Sequence, residues 1–183
     1  NPNNPVINFR SFGENREDVT SKSLAYMRGL QKGGIITSAK HFPGHGDTNG
    51  DSHQTLPELA HNLRRLEKLE LIPFMAAIQK KVASIMTAHV VYNGIDKNIP
   101  ATFSIKILRD LLRTTLGYNG VIVSDSLYMG AVLGYGTLGD RCIQAFRAGC
   151  DWLIVGKDPE KVGVALEFFE KALTDGKISL DQV

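Results

Sequence analysis

Four short runs of this chain are apolar almost without interruption, and a stretch of helical periodicity separates each from the next. The runs are Gly34–Ala39, Val82–His89, Gly120–Asp125 and Asp151–Gly156. A strand with apolar residues on both faces must be covered on both faces, which is the condition of a parallel sheet in an α/β fold. The stretches between supply that cover. Glu17–Lys32 puts Val19, Leu24, Met27 and Leu30 roughly on one face and stops at Gly33-Gly34. Leu59–Gln79 reads as helix, with Leu63, Leu66, Leu69 and Ile72 inward and Arg64, Arg65, Glu67 and Lys68 outward. Pro73 restarts it as a second turn over Phe74–Ile78. Ile105–Leu116 follows Ser104 as N-cap and ends at Gly117; Cys142–Ala148 and Val162–Leu173 are the last two helices. Asn1–Gly13 reads as loop, as does the segment after His89 with Asn93-Gly94 and Pro100.

Polar residues gather where each apolar run ends: Lys40 and His41, His89, Asp125, and more weakly Lys157 and Asp158. That rim is where (β/α)8 enzymes carry their chemistry. Four βα units make half of such a barrel and leave two open parallel edges, which are costly to expose. The expectation is an α/β chain whose residues 1–183 form part of a catalytic (β/α)8 TIM-type barrel, roughly its C-terminal half, with the remainder in cis. A small open α/β sheet is the alternative. The start at Asn-Pro-Asn-Asn-Pro, without methionine, reads as the middle of a longer protein.

With 21 basic and 19 acidic residues the net charge is +2, which makes no electrostatic case for nucleic acid or an anionic membrane. No apolar run approaches the ~20 residues of a membrane span. Cys142 and Cys150 are too few for a disulfide framework and read as buried free thiols.

Chemistry concentrates in Lys40–His53, which holds His41, His45 and His53 with Asp47 and Asp51 among glycines. In Asp51-Ser52-His53 an extended backbone puts carboxylate and imidazole on one side, where the carboxylate fixes the tautomer and raises the basicity of the ring. Such a pair suits general acid/base work. Asp125 closes an apolar strand either as the N-cap of a following helix or as a nucleophile or stabiliser of a developing cation. Arg10, between Phe9 and Phe12, is either a stacking residue or an anchor for a ligand oxygen. His41, His45, Asp47, Asp51 and His53 would suffice as metal ligands, but their spacing matches no ordered zinc signature.

The run Lys40-His41-Phe42-Pro43-Gly44-His45-Gly46-Asp47-Thr48, with Asp51-Ser52-His53 and Leu56-Pro57, strongly resembles the glycoside hydrolase family 3 β-N-acetylglucosaminidases. Asn4-Pro5-Val6-Ile7 with Arg10-Ser11-Phe12, Met86-Thr87-Ala88-His89-Val90, Pro100-Ala101-Thr102, Gly120–Leu127 with Met129, and Ala148-Gly149-Cys150-Asp151 extend the likeness over nearly the whole chain, in order. The resemblance implies a (β/α)8 barrel and retaining hydrolysis of terminal β-linked N-acetylglucosamine, as in peptidoglycan turnover, without metal or organic cofactor. It implies Asp125 as nucleophile, His53 as acid/base, Asp51 as its partner, and Lys40, His41 and Arg10 as sugar-binding residues. The partner would be a saccharide or muropeptide containing N-acetylglucosamine, in the bacterial cytoplasm or at the cell wall. A family 3 β-glucosidase, an N-acetylglucosaminide phosphorylase and a silent carbohydrate-binding barrel remnant are the competing readings. Two departures stand out: Ser126 follows Asp125 where relatives usually carry acidic residues, and the upstream strands that bring an Asp and an Arg to the sugar are absent. The chain by itself is therefore expected to be poorly active or poorly folded.

Overall fold

The computed structural model describes residues 3–156 and 158–182, so Lys157 and the terminal residues 1, 2 and 183 lie outside the described residues. Three strands form one parallel sheet in the order β1 (Ser38–Phe42), β3 (Ser84–Thr87), β5 (Val121–Val123). Ser38 pairs with Ser84, and Ser84 with Val121, so the three strands enter the sheet at one level and leave it toward the same rim. A second parallel pair, β2 (Glu58–Asn62) and β4 (Val91–Gly94), joins Leu59 to Tyr92. The result is a mixed α/β domain with parallel sheets.

Several boundaries differ from the sequence expectation, each for a local reason. The first strand begins at Ser38, not Gly34: Ile35 and Ile36 are exposed, because β3 pairs with β1 only from Ser38 onward. Residues 58–62 are strand where a helix was expected. The Asn62 side chain accepts the Arg65 N–H at 3.0 Å, a cap that starts α2 (Leu63–Lys68) only after it, and a break precedes α3 (Leu71–Gln79). Leu66 is fully buried, but Leu63 stays exposed. The stretch over Val91–Gly94, read as loop, is β4, since β2 offers it a partner that local sequence cannot reveal. The fourth expected strand, Asp151–Gly156, contributes a single bridge, Val123 to Trp152. It still runs beside β5, through Ser124 N–H to Trp152 C=O at 2.8 Å and Leu127 N–H to Ile154 C=O at 2.9 Å.

The helices follow expectation more closely. α1 (Arg16–Lys32) is capped by Asn15 and closes at Gly33. Ser104 accepts the Ile107 N–H at 3.2 Å, and the helix after it, Lys106–Thr115, is wound as a π-helix that buries Ile107, Leu108, Leu111 and Leu112 on one face. α4 (Leu138–Ala148) begins four residues before the expected Cys142, because Thr137 and Asp140 form a reciprocal capping box. α5 (Pro159–Thr174) likewise starts early, with Asp158 as N-cap and proline in its first turn. Asp158 is thus a helix cap rather than a rim residue.

The core lies between the sheet and these helices, with Ile85, Ile122, Phe42, Leu66, Leu71 and Leu112 at its centre. Cys142 and Cys150 are free and buried, and burial pushes the Cys142 thiol up to about 11. α4 meets α5 at Gly139, where an added Cβ would lie 1.9 Å from Phe168 Cγ. Gly139→Ala should therefore destabilise the fold by about 1–3 kcal/mol despite alanine's higher helix propensity. A thermal melt at or above the wild-type midpoint would contradict this. Among the described residues no helix is long and apolar enough to cross a membrane.

Candidate active site

The polar residues singled out from sequence converge at the C-terminal rim of the three-stranded sheet. Asp125 follows β5 after Ser124, and no helix starts there; its Oδ1 instead accepts the Ser126 N–H at 2.8 Å. The capping alternative for Asp125 is thereby replaced. On β1 the register slips between Lys40 and Phe42, a bulge that takes His41 out of the regular alternation. Its Nε2 comes within 3.6 Å of Asp125 Oδ2. Cis peptide bonds join Lys40 to His41 and Phe42 to Pro43.

His41 is buried, and desolvation drives its pKa down to about 3; Asp125 opposes that shift, while Lys40, His45 and Arg10 add to it. The ring is therefore neutral at physiological pH. A pocket of about 130 Å³ opens above these groups, lined by Asp125, His41, Lys40, Arg10, His53 and Met129 among others. Arg10 sits in a 3-10 turn, Asn8–Arg10, exposed and with one Nη1 bond to the Val6 carbonyl at 3.3 Å. A larger hollow of about 460 Å³ between α1 and α3, lined by Arg16, Glu17, Ser21, Leu24 and Ile72 among others, carries no histidine or aspartate.

His53 and Asp51 meet as expected. Asp51 Oδ1 accepts both the backbone N–H of His53 and, at 2.8 Å, its ring Nδ1. The backbone bond, and then the ring, hold the Asp51 carboxyl below its ordinary value. With Nδ1 bound to Asp51, Nε2 of His53 is left for chemistry. His53 is exposed, and its backbone is clamped by Gly130 N–H to His53 C=O at 3.0 Å and Ala131 N–H to Ser52 C=O at 3.3 Å. A Cβ on Gly130 would lie 2.7 Å from that His53 oxygen, so only glycine admits the contact.

Some contributors were not legible from residue type. Asn4 is buried and donates to the His45 carbonyl at 2.8 Å and to Thr48 Oγ1 at 3.1 Å, while its Oδ1 accepts Val6 N–H and Ile7 N–H. It ties the Arg10 turn to the histidine loop, although its sequence context signalled only a turn. His45 spends both ring nitrogens inside that loop, on Thr48 and Ser52 at 2.9 Å each. His61 pairs with Asp47 at 2.9 Å. His41, His45 and His53 line one pocket, yet among the described residues no three His, Cys, Asp or Glu side chains are grouped to hold an ion.

Known proteins match this arrangement. The model of the glycosyl hydrolase family 3 N-terminal domain matches residues 1–183. The β-hexosaminidase of Neisseria meningitidis serogroup C (strain 053442) is 44% identical over 167 residues, 91% of this chain and 46% of its own length. The chain spans about half the length of the curated relatives it matches. A family 3 β-N-acetylglucosaminidase from Paenibacillus sp. superposes with a TM-score of 0.95 at 42% identity, covering all of this chain and 35% of that one. NagZ from Neisseria gonorrhoeae, solved with N-trifluoroacetyl-D-glucosamine, gives 0.79 at 42% identity over 93% of this chain and 47% of its own. With a family model along its whole length and a rim of histidines and carboxylates over a parallel sheet, this chain belongs to glycosyl hydrolase family 3.

Proposed function

We propose that the protein is a retaining glycoside hydrolase that removes terminal β-linked N-acetylglucosamine, with peptidoglycan fragments as natural substrates. One observation carries the reading: the Asp125 carboxylate and an imidazole oriented by Asp51 line the same small pocket. Relatives named β-hexosaminidase, one solved with an N-acylated glucosamine, point to the acetamido sugar. Exposed Ile35, Ile36 and Trp152 at the two edges of the sheet support the further reading that other strands close a (β/α)8 barrel around it in cis.

In the first step Asp125 attacks the anomeric carbon as His53 protonates the glycosidic oxygen through Nε2, and the aglycone leaves. In the second, His53 takes a proton from water, which displaces Asp125 from the same carbon and restores the β-anomer. Asp51 stabilises the imidazolium of each transition state. Neutral His41, exposed Lys40 and Arg10 would bind the sugar hydroxyls. Most retaining glycosidases use a second carboxyl group here. An imidazole repels an incoming anion less, which makes phosphate a competent second nucleophile beside water.

The test is turnover of aryl β-N-acetylglucosaminide against aryl β-glucoside by the full-length protein. Preference for the acetamido sugar is expected; the reverse preference would make the protein a β-glucosidase, and binding without turnover a silent lectin-like barrel. His53→Ala should slow hydrolysis of a phenyl glycoside by about 10²–10⁴-fold. With a dinitrophenyl leaving group, which needs no proton, formation of the glycosyl-enzyme should recover. Equal losses on both leaving groups would remove His53 from the acid role.

A further inference from the structure

The segment carrying Asp125 is gripped from below by buried polar groups that the mechanism above does not use. Thr87 at the end of β3, Thr102 after the Pro100 turn, and His89 are all fully buried. Nε2 of His89 lies 2.9 Å from the Ser126 carbonyl oxygen. A carbonyl only accepts, so Nε2 carries the ring hydrogen and Nδ1 is an acceptor. The Thr102 hydroxyl, 2.8 Å from Nδ1, donates to it. Having one hydrogen to give, Thr102 must then accept from the Thr87 hydroxyl, also 2.8 Å away. Thr87 in turn accepts the backbone N–H of Asp125 at 3.3 Å. The Ala88 carbonyl competes for the Thr102 hydrogen at a longer 3.1 Å, but only donation to Nδ1 leaves the buried ring fully paired.

The directions therefore run one way around a closed path, from Asp125 N–H through Thr87, Thr102 and His89 to Ser126 C=O. Both ends of that path lie on the residue pair whose Oδ1-to-N–H bond sets the carboxylate. Burial holds His89 below its ordinary value, so Nδ1 stays an acceptor at neutral pH. The Ser126 carbonyl also accepts the Met129 N–H at 3.1 Å, so the side-chain path holds it alongside one backbone bond.

We infer that His89, Thr102 and Thr87 are positioning residues for the nucleophile, fixing the Asp125–Ser126 backbone so that the carboxylate meets the anomeric carbon. The inference rests on Asp125 being the nucleophile. Displacement of a reacting group by about 1 Å can cost on the order of 10²-fold in rate. The test uses the full-length protein with phenyl and dinitrophenyl β-N-acetylglucosaminides. Thr102→Val, Thr87→Val and His89→Phe should each lower kcat on the order of 10²-fold. The loss should be equal for the two leaving groups, unlike that of His53→Ala, and the affinity for free N-acetylglucosamine should not change. Thr102→Ser and His89→Gln, which keep the hydroxyl and a donor toward Ser126, should restore most of the rate. Asp125→Ala with azide, run alongside, reports on the nucleophile itself. If that variant stays active, the parent reading falls. If it is dead while folded Thr→Val variants turn over like wild type, the positioning role falls. Weakened sugar affinity without a kcat effect, or a Thr102→Ser variant as slow as Thr102→Val, would equally overturn it.

Discussion

Asp125→Ala should reduce hydrolysis of an aryl β-N-acetylglucosaminide on the order of 10⁵-fold, about 7 kcal/mol of barrier, while the protein stays folded. The size follows from what is removed. Without the carboxylate no covalent intermediate can form, and water would have to attack unaided from a face where the pocket is built for a fixed nucleophile. Folding should survive, because Asp125 holds only one short bond, to its neighbour Ser126, and a long contact to neutral His41. Azide fits the space of the lost carboxylate and can attack the same face of the anomeric carbon. A single displacement then replaces two, and the product should be the α-glycosyl azide. Recovery of rate with a β-product, or none at any azide concentration with an activated substrate, would count against Asp125 as nucleophile.

Acid should begin to destabilise this protein well above the pH at which its carboxylates titrate. His41, His45 and His89 are buried, and desolvation lowers all three. The sign follows from linkage: below about 6.5 the unfolded chain binds protons that the folded imidazoles refuse, so stability is lost as pH falls through that value. For His41, held at about 3, the loss at pH 5 is about 2 kcal/mol at 1.36 kcal/mol per unit. His45 and His89 act in the same direction. Asp51 and Asp140 are lowered instead, so the stability they contribute is lost as pH falls through the usual carboxylate range and below it, which leaves the pH 5–6.5 window to the histidines. Thermal midpoints should drop by roughly 5–10 °C between pH 7.5 and pH 5. His45→Gln should flatten that slope whatever it does to the midpoint at pH 7.5. A midpoint independent of pH over this window would refute the account.

The apolar runs made the parallel sheet legible, because burial on both faces leaves a composition that no solvated strand has. Likewise Asp51-Ser52-His53 could be read as a pair, since its geometry is local to three residues. β2 and β4 could not. Each is a strand only because the other lies beside it, and their own residues fit helix or loop as well. For the same reason Asp151–Gly156, apolar enough for a strand, forms only one bridge in the structure.

At the site the division is similar. Residue chemistry and motif order determined which side chains to watch: Arg10, Lys40, His41, Asp51, His53 and Asp125. Only tertiary structure decided what their neighbours do. Asn4 looked like a turn former and became the tie between two loops; His45 looked like a candidate metal ligand and is spent on Thr48 and Ser52. His89 ended a strand with no visible partner until folding brought Thr102 and Ser126 to its two nitrogens. A sequence encodes which groups can donate, accept or attack, since these belong to single residues. Their hydrogen-bond partners belong to pairs separated by tens of residues, and only the packed chain fixes them.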